Sequence, residues 1–391
     1  MDFQFTEEEQ RLVESTRRLA EDRFADRAFT WDSFPWENAK VLAEAGLTGI
    51  ALPVEDGGQG GSLLDAVLVM EAISQVCPHS GDAVQAANFG AIRQIAALGS
   101  SRLKQDVLPR LLAGEGLVTA GMSEPEAGSA LTELRTRARV EGNEIVLDGQ
   151  KIWNSHGPEA THVVVWCRFG PRTRDIGAVV VPVEAPGMTK GATETYMSGE
   201  HHCALHFENC RVPREYALAE SEGLGKMMAI FGVERVGNAV RALALAQSAF
   251  DRAVMHAKDR EQFGRPLCEF QGLQWKFADM KVKLDAARLL IYRAVVNADA
   301  GAPDPIEASI AKVYANERAF EVAHDALQIF GAAGYSTTSP LEYIARRVRG
   351  WMIAGGSVEV QRNRIAQEIF GRRFSQRAPE PTGAGPEEIR R

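Results

Sequence analysis

The hydrophobic pattern of this 391-residue chain changes twice, and this change constrains the fold more than any other feature. Residues 6–116 carry apolar side chains at the three- and four-residue spacing of amphipathic helices. Residues 117–213 instead carry short β-branched or alternating runs between turn residues, which is typical of strands. Helical spacing returns at residue 223. This order predicts an α+β fold in which a β domain lies between two helical domains.

Local signals set the limits of the predicted parts. Thr6 and Glu9 have the spacing of a capping box, which marks the start of a helix. In the last third of the chain, amphipathic segments predict helices at about residues 223–258, 267–300, 305–330 and 357–371. We predict an N-terminal α-helical domain at residues 1–116, a middle β domain at 117–222, a C-terminal α-helical bundle at 223–373 and a disordered tail at 374–391.

Composition excludes several classes of function. With 45% hydrophobic and 25% charged residues, the chain has the balance of a folded globular protein. Its formal net charge of −8 provides no basic field for nucleic acid or for an acidic membrane. No run of about 18 apolar residues occurs, and the first residues lack the basic and apolar regions of a secretory leader. We therefore expect a cytoplasmic protein that binds neither nucleic acid nor membranes.

Cysteine and histidine residues predict neither disulfides nor a metal site. The chain has 5 cysteines, an odd number, and none has CxxC spacing. One segment does cluster residue types that bind metals. On a strand, however, adjacent side chains point to opposite faces, so these five would not converge on one ion. They are His201, His202, Cys203, His206 and Cys210.

Four motifs occur in one order along the chain. Residues 121–129 read GMSEPEAGS, 148–155 read DGQKIWNS, 259–264 read DREQFG with EFQ at 269–271, and 325–334 read DALQIFGAAG. Together they resemble the acyl-CoA dehydrogenase family over about residues 1–372. The resemblance implies the acyl-CoA dehydrogenase fold, with an N-terminal helical domain, a middle β-barrel-like domain and a C-terminal four-helix bundle. It also implies FAD as cofactor, an acyl-CoA substrate, an electron-transferring flavoprotein as acceptor and a homotetramer built as a dimer of dimers.

The first two motifs are predicted to hold the flavin. Around Met122 and Ser123, main-chain N–H groups and a hydroxyl can donate hydrogen bonds to the pyrimidine edge of a flavin. Trp153 and Ser155 are two residues apart, so on a strand they share one face. In the family, the matching tryptophan stacks beside the flavin and the matching hydroxyl bonds near its N5 atom.

The later motifs are predicted to hold the rest of the cofactor. By resemblance, Arg260, Gln262 and Phe263 contact the adenine and the diphosphate across a subunit interface. Arginine suits a diphosphate because its planar guanidinium donates two hydrogen bonds at once. The resemblance also places Ser129 near the CoA chain of the substrate. The remaining predicted cofactor contacts are Gln328, Gly331, Ser357 and Glu359.

The chain departs from the family where the catalytic base is expected. Removing a proton from the carbon α to a thioester requires a base and donors that stabilise the developing enolate oxygen. Family members commonly carry the base in a Tyr-Glu-Gly-Thr turn, but the matching residue here is Gly355, which offers only its backbone N–H. Some members carry the base on the first long helix of the last domain, just before an arginine. Glu234 and Arg235 occupy that position, so we predict Glu234 as the base.

Two alternatives stay open for this pair. On a helix, Glu234 shares a face with apolar residues, which would raise its pKa toward a value useful for a base. Glu234 could instead pair with Arg241, two helical turns further on, in a purely structural role. Arg235 would lie near the CoA phosphates or in solvent.

A second reading involves a related reaction. Residues 269–275 and 353–356 also resemble 3-sulfinopropionyl-CoA desulfinases, which share the fold and lack the turn glutamate, and whose helix glutamine is matched by Gln247. Their sulfinate-binding arginine has no counterpart in residues 78–88, and Glu234 would repel an anionic sulfinate. We therefore favour a dehydrogenase. A third hypothesis is a flavoprotein that binds FAD without catalysis.

Overall fold

Helices, strands and helices again follow one another in the computed structural model, which describes residues 4–298 and 302–375. The first block is helical, and Thr6 and Glu9 form the predicted capping box through reciprocal hydrogen bonds of 3.2 and 2.7 Å. The predicted tail lies outside the described residues from residue 376 onwards. The helices of this block are α1 (Glu7–Phe24), α2 (Trp36–Glu44), α3 (Leu63–Val76), α4 (Pro78–Asn88), α5 (Ile92–Leu98) and α6 (Ser101–Leu112).

The middle block is a nine-stranded sheet. The strands are β1 (Val118–Gly121), β2 (Arg137–Glu141), β3 (Glu144–Ser155), β4 (His162–Arg168), β5 (Ile176–Pro182), β6 (Met188–Lys190), β7 (Glu194–Thr195), β8 (His201–Pro213) and β9 (Ala217–Ala219). The main path of the sheet runs β6-β8-β3-β2-β4-β5-β9, β1 pairs in parallel with β4, and β7 pairs with β8.

The last block is helical, as predicted, but it contains two helices that the sequence analysis did not predict. These helices, α10 (Ala332–Tyr335) and α11 (Pro340–Trp351), lie between two predicted segments, and α8 (Gln271–Val296) is shorter than the predicted 267–300. The elements are α7 (Gly223–Asp259), the hairpin of β10 (Glu261–Gln262) and β11 (Arg265–Pro266), α8 (Gln271–Val296), α9 (Pro305–Phe330), α10 (Ala332–Tyr335), α11 (Pro340–Trp351) and α12 (Val358–Ile369).

Three hydrophobic cores connect the blocks. The largest is shared by the N-terminal helices and by α7, α8, α9 and α11, so the two helical blocks pack as one body. The sheet has a core on each face because neighbouring side chains of a strand alternate. On β4, Val164 and Trp166 pack toward α5 and α6, while Val163 and Val165 pack on the opposite face. The ends of the sheet and of the helical body meet at the candidate site.

Two predictions from composition can be compared with these elements. All five cysteines are free thiols. In the ranges that the structure describes, none of the helices combines the length and the apolar character needed to cross a lipid bilayer.

Candidate active site

The loop after β1 carries two of the predicted flavin contacts and is fixed to β3. The carbonyl of Ser123 accepts a hydrogen bond of 2.9 Å from the N–H of Ile152. The carbonyl of Met122 accepts one of 3.2 Å from the ammonium of Lys151, which also binds the Glu124 carboxylate at 2.7 Å. This loop therefore presents Met122 and Ser123 from a backbone that β3 holds in place.

Lys151 and Glu124 form a buried ion pair that the sequence analysis did not identify. Their side chains are 0% and 4% exposed. Glu124 also accepts a hydrogen bond of 2.9 Å from the N–H of Thr136. Burial alone would raise the pKa of Glu124, but Lys151 and these donors lower it, so the carboxylate is ionised. The available signal in the sequence was that Glu124 and Lys151, which have opposite charges, lie in the motifs at 121–129 and 148–155.

Trp153 and Ser155 lie at the end of β3 and point away from the core, while Asn154 between them is buried. This agrees with the predicted common face, but the strand is not regular there. The register shifts between Lys151 and Asn154, and Trp153 has a left-handed φ of 56°. The Tyr196 hydroxyl donates a hydrogen bond of 3.0 Å to the Trp153 carbonyl. The bulge leaves the Trp153 ring 59% exposed.

Glu234 lies on α7 between the helical blocks and is half-buried. Its Oε2 atom is 3.6 Å from the position that a β-carbon on Gly90 would occupy, so α7 faces the α4–α5 connection here. Burial raises the pKa of the Glu234 carboxyl above its ordinary value. Four nearby groups oppose this rise, in decreasing order the charge of Arg241, the amide of Gln85, the charge of Lys312 and the amide of Asn238.

The structure argues against the direct pairing of Glu234 with Arg241. The guanidinium of Arg241 instead donates to the Asp82 carboxylate at 2.7 Å and to the side-chain oxygen of Asn238 at 2.6 Å. Arg241 therefore acts on Glu234 through space and through Asn238. Glu234 keeps a carboxyl group with no arginine bonded to it among the described residues.

The turn between α11 and α12 contains Gly355, with φ 68°, and Gly356, with φ 84°. The N–H of Gly355 has no hydrogen-bond acceptor within the described ranges. Ser357 caps α12 by accepting a hydrogen bond of 3.4 Å from Val360, and Glu359 lies in the first turn of that helix. An unpaired N–H in this turn is available to a ligand carbonyl.

Lys312 on α9 is another buried cation of this region. It is 0% exposed and its ammonium donates to the carbonyl of Ala354. Burial and the charge of Arg235 lower its pKa to about 7, while Glu234 raises it. The sequence analysis did not single out Lys312, although a lysine within the alanine-rich run at 308–315 was a usable signal.

A second charged cluster joins all three blocks. Asp82 on α4 accepts hydrogen bonds from Arg241 and from Arg347 on α11, and Arg347 also binds Glu200 next to β8. Asp82, His156 and Glu200 offer ligand atoms within 4.8 Å of one another. The two arginines already neutralise the carboxylates, so this cluster is suited to fixing the blocks together and poorly suited to a cation. None of these contacts was predicted.

The predicted adenine and diphosphate contacts lie together at the far end of the helical bundle, where α7 and α9 both have their C-terminal ends. His256 of α7 stacks on Phe330 of α9 with ring centroids 4.1 Å apart, so the ends of the two helices are adjacent. Phe263, in the β10–β11 hairpin, is 94% exposed. This arrangement brings one group of predicted residues to one end of the bundle: Arg260, Gln262, Phe263, Gln328 and Gly331.

The two predicted substrate contacts have different surroundings. Ser129 is exposed in the loop after β1. Arg235 is only 3% exposed, so its alternative placement in solvent is wrong. Burial and the neighbouring Arg364 lower the pKa of Arg235 to about 10. Two of its guanidinium nitrogen atoms have no acceptor among the described residues.

Gln247 lies away from this site. It follows Glu234 on α7 by more than three helical turns, which is about 20 Å along the axis. Its amide binds Arg288 at 3.0 Å and Asp251 at 2.8 Å. The desulfinase-like glutamine therefore does not join Glu234 and Gly355. No arginine occurs in α4, and Arg241 and Arg347, which reach that helix, are both bound to Asp82.

The residues present fit a flavin nucleotide. An isoalloxazine needs an aromatic or apolar face and hydrogen-bond donors at its polar edge. The open ring of Trp153 and the fixed loop at Met122 and Ser123 supply these two requirements. Arg260 and the exposed ring of Phe263 are suited to a diphosphate and an adenine.

Three domain families match the chain in order. They are the acyl-CoA dehydrogenase N-terminal domain at residues 6–115, the middle domain at 119–210 and the C-terminal domain at 221–370. Among curated relatives, the 3-sulfinopropanoyl-CoA desulfinase of Paraburkholderia xenovorans is 38% identical over 96% of this chain and 99% of its own length. The probable acyl-CoA dehydrogenase FadE25 of Mycobacterium tuberculosis is 34% identical over 92% and 95%.

Solved structures have the same fold. Butyryl-CoA dehydrogenase of Megasphaera elsdenii superposes with a TM-score of 0.89 at 29% identity, covering 95% of this chain and 100% of that one. Glutaryl-CoA dehydrogenase of Mycobacterium smegmatis in complex with FADH2 has a TM-score of 0.88 at 24% identity and covers 95% and 96%. The predicted fold is confirmed, and the glutaryl-CoA dehydrogenase of Mycobacterium smegmatis binds FADH2, the reduced form of the predicted cofactor. The chain is an enzyme that belongs to the acyl-CoA dehydrogenase family.

Proposed function

We propose that this chain is a FAD-dependent acyl-CoA dehydrogenase of the cytoplasm that desaturates the acyl group of a coenzyme A thioester between Cα and Cβ. One observation carries the proposal. The half-buried Glu234, whose pKa is raised by burial, belongs to the same polar cluster as the Gly355 turn. A base and a hydrogen-bond donor for an enolate oxygen are the two protein groups that this reaction needs.

Each group has a defined task in the reaction. Glu234 takes the proton from the carbon α to the thioester carbonyl. The N–H of Gly355 donates to the carbonyl oxygen, which becomes negatively charged as that proton leaves. FAD, when bound, supplies the acceptor for the hydride that leaves the β carbon. Neutralisation of Glu234 by the proton is favourable in a partly desolvated site, so its surroundings assist the transfer.

Cofactor and substrate contacts follow from the same arrangement. Met122, Ser123, Trp153 and Ser155 would hold the flavin, and the turn residues Ser357 and Glu359 lie next to Gly355. In a homotetramer, the group at the far end of the bundle would bind the adenine and diphosphate of a cofactor in another subunit. Ser129 would contact the CoA chain. The unpaired nitrogen atoms of the buried Arg235 would receive their acceptors from bound ligand.

An electron-transferring flavoprotein remains the proposed acceptor of the electrons. This partner is inferred from the family resemblance.

A second candidate is a desulfinase that releases sulfite from 3-sulfinopropanoyl-CoA. It is favoured by the 38% identity to the desulfinase of Paraburkholderia xenovorans. Two features oppose it. An anionic sulfinate would be repelled by Glu234, and the two arginines that reach α4 are both bound to Asp82, one of them also to Glu200.

The test is an anaerobic titration of the purified flavoprotein with a panel of acyl-CoA thioesters, following the absorption of oxidised flavin. The wild type is compared with Glu234→Gln. Asp251→Asn serves as a control because Asp251 is an exposed carboxylate on the same helix. A dehydrogenase with Glu234 as base bleaches in the wild type and in the control, but not in Glu234→Gln.

Other results would support different conclusions. Equal bleaching in Glu234→Gln would make Glu234 structural. A shift of the flavin band without bleaching, together with sulfite release from 3-sulfinopropanoyl-CoA, would establish the desulfinase. Bound FAD that responds to no thioester would favour the third hypothesis, a flavoprotein without catalysis.

A further inference from the structure

We propose that Lys312 is a positioning residue for the reaction, because its bond to the carbonyl of Ala354 fixes the direction of the Gly355 N–H. The proposal rests on the proposed function, in which that N–H receives the thioester oxygen. Lys312 itself contacts neither substrate nor cofactor in this scheme. Its effect is exerted through one peptide unit.

One face of α9 binds the glycine turn along its whole length. Lys312 donates to the carbonyl of Ala354, and Asn316 donates to the carbonyl of Trp351 at 2.6 Å. Ser309 donates to Gln361 at 3.0 Å, and Gln361 donates to the carbonyl of Gly356 at 3.1 Å. Residues 309, 312 and 316 are three and four apart, so they share one side of the helix.

The three polar residues of this face are each 0% exposed: Ser309, Lys312 and Asn316. A buried polar group is costly unless it is hydrogen-bonded, so these side chains have little freedom to release the turn. The carbonyl groups of the turn are therefore held toward α9.

The direction of the Ala354 carbonyl also determines the direction of the Gly355 N–H. The carbonyl of Ala354 and the N–H of Gly355 belong to the same planar peptide unit, and in a trans peptide they point in opposite directions. The described backbone has no cis peptide bond. Because Lys312 draws the carbonyl of Ala354 toward α9, the N–H of Gly355 must point away from α9. This N–H has no acceptor among the described residues.

The positive charge of Lys312 also polarises the peptide unit that joins Ala354 to Gly355. Hydrogen bonds from a cation are stronger than neutral ones, and they increase the donor strength at the other end of the same peptide unit. Asn316 provides the comparison within the molecule. It also holds a turn carbonyl, but with a neutral donor and on a peptide unit that does not include Gly355.

The charges around Lys312 give the role a measurable pH dependence. The groups that act on Lys312 are Arg235, Glu234 and Arg241, all from α7. The other groups around the turn carry no charge: the turn offers backbone atoms, and α12 offers the neutral side-chain amide of Gln361. Loss of the Lys312 charge removes a cation near Glu234, and this makes the protonated form of Glu234 more favourable.

The experiment compares Lys312→Met with Asn316→Leu, two variants that remove a side-chain donor to the same turn. We measure the rate of flavin bleaching, the dissociation constant of the acyl-CoA and the pH dependence of the rate. For Lys312→Met we expect the rate to fall by about 100-fold, as for loss of an oxyanion donor, with a much smaller change in the dissociation constant. The acid limb of its pH profile should move to higher pH. Asn316→Leu should slow the reaction by less than about tenfold.

A second readout does not depend on turnover. The stretching frequency of a 13C-labelled thioester carbonyl in bound butyryl-CoA reports the hydrogen bond to its oxygen. We expect a lowered frequency in the wild type and in Asn316→Leu, and a return toward the solution value in Lys312→Met. Lys312→Arg, which keeps the charge, should recover part of the shift.

The outcomes separate the two proposals. If the wild type lowers the carbonyl frequency and Lys312→Met does so equally, the positioning role is wrong even if the enzyme is a dehydrogenase. If both variants lose rate equally with the same pH profile, Lys312 is structural. In a third case, the carbonyl frequency is lowered in the wild type but not in Lys312→Met, and no thioester bleaches the flavin. The dehydrogenase proposal then fails while Lys312 keeps its role. A wild type that binds no thioester overturns both.

Discussion

The side-chain amide nitrogen of Asn238 lies 2.5 Å from the position that a β-carbon on Gly355 would occupy. Real β-carbons essentially never make contacts below 3.0 Å, and Lys312 Nζ lies 3.1 Å from the same position. Asn238 is in turn bound by Arg241. The absence of a side chain in the turn and the presence of Asn238 on α7 are therefore sterically linked. A base on α7 and a glycine in the turn form one consistent arrangement.

We predict that Gly355→Ala destabilises the protein by about 1–3 kcal/mol, because it combines a left-handed φ with overpacking against Asn238. Adding Asn238→Ser should recover part of this loss by shortening the opposing side chain. Gly350→Ala is the control. Gly350 is in α11 with nothing within 4 Å of its β-carbon position, so the change should stabilise by up to about 1 kcal/mol. Urea unfolding of the holoprotein gives the free energy of unfolding of all three variants. If Gly355→Ala is as stable as the wild type, the steric link is contradicted.

The order of the blocks and the individual motifs could be predicted because they depend on local sequence. Trp153 and Ser155 were placed on one face from their spacing alone, and this was correct although a bulge interrupts the strand. The helix α11 was not predicted, although its buried residues Leu341, Ile344 and Val348 have the spacing of an amphipathic helix.

The charged clusters could not be predicted because their partners are remote in sequence. Asp82 and Arg347 are 265 residues apart, and nothing local indicates that they meet. Lys312 differs in part, because its place in an alanine-rich run was a local signal, but its acceptor, the carbonyl of Ala354, is 42 residues away in sequence. Tertiary packing decides these cases, and it was visible only once α4, α7, α9 and α11 were placed together.

The cluster at Asp82 predicts acid sensitivity. Burial alone would raise the pKa of Asp82, but Arg347 and Arg241 override it and lower the pKa to about 2. A lowered pKa stabilises the fold above the ordinary value of 3.8, and this stabilisation is lost as the pH falls from 3.8 through 2. We expect a loss of about 2 kcal/mol over this window, measured by urea unfolding at each pH.

Asp82→Asn should abolish this acid-dependent component and cost about 3–5 kcal/mol at neutral pH, because it leaves two buried arginines underneutralised. Asp106→Asn is the matched control, since Asp106 pairs with Arg102 near the surface and should cost less than about 1 kcal/mol. Equal losses in the two variants would mean that the Asp82 cluster contributes no more than a surface pair.

Gln85 should set the lower pH limit of the reaction. Burial raises the pKa of Glu234, and Gln85 is among the groups that lower it. Gln85→Leu removes this contribution, so the acid limb of the bleaching rate should move to higher pH while the rate on the alkaline plateau is kept. Gln94→Leu is the control because Gln94 is equally buried but does not act on Glu234. Stopped-flow reduction across pH measures both, and identical profiles would exclude the role of Gln85.

The Lys151–Glu124 pair should couple stability to cofactor retention. Lys151→Met leaves the Glu124 carboxylate buried without its cation, at a cost of about 3–5 kcal/mol, and it also frees the Met122 carbonyl of the flavin loop. Removing both charges in Lys151→Met with Glu124→Gln should restore much of the stability but not the bond to Met122. We therefore expect the double variant to unfold near the wild-type urea concentration and still to lose FAD more readily on dilution. Lys281→Met, in an exposed pair with Asp285, should change neither property. If the double variant recovers both stability and FAD retention, the bond to Met122 has no part in holding the flavin loop, and the pair acts only through its charge balance.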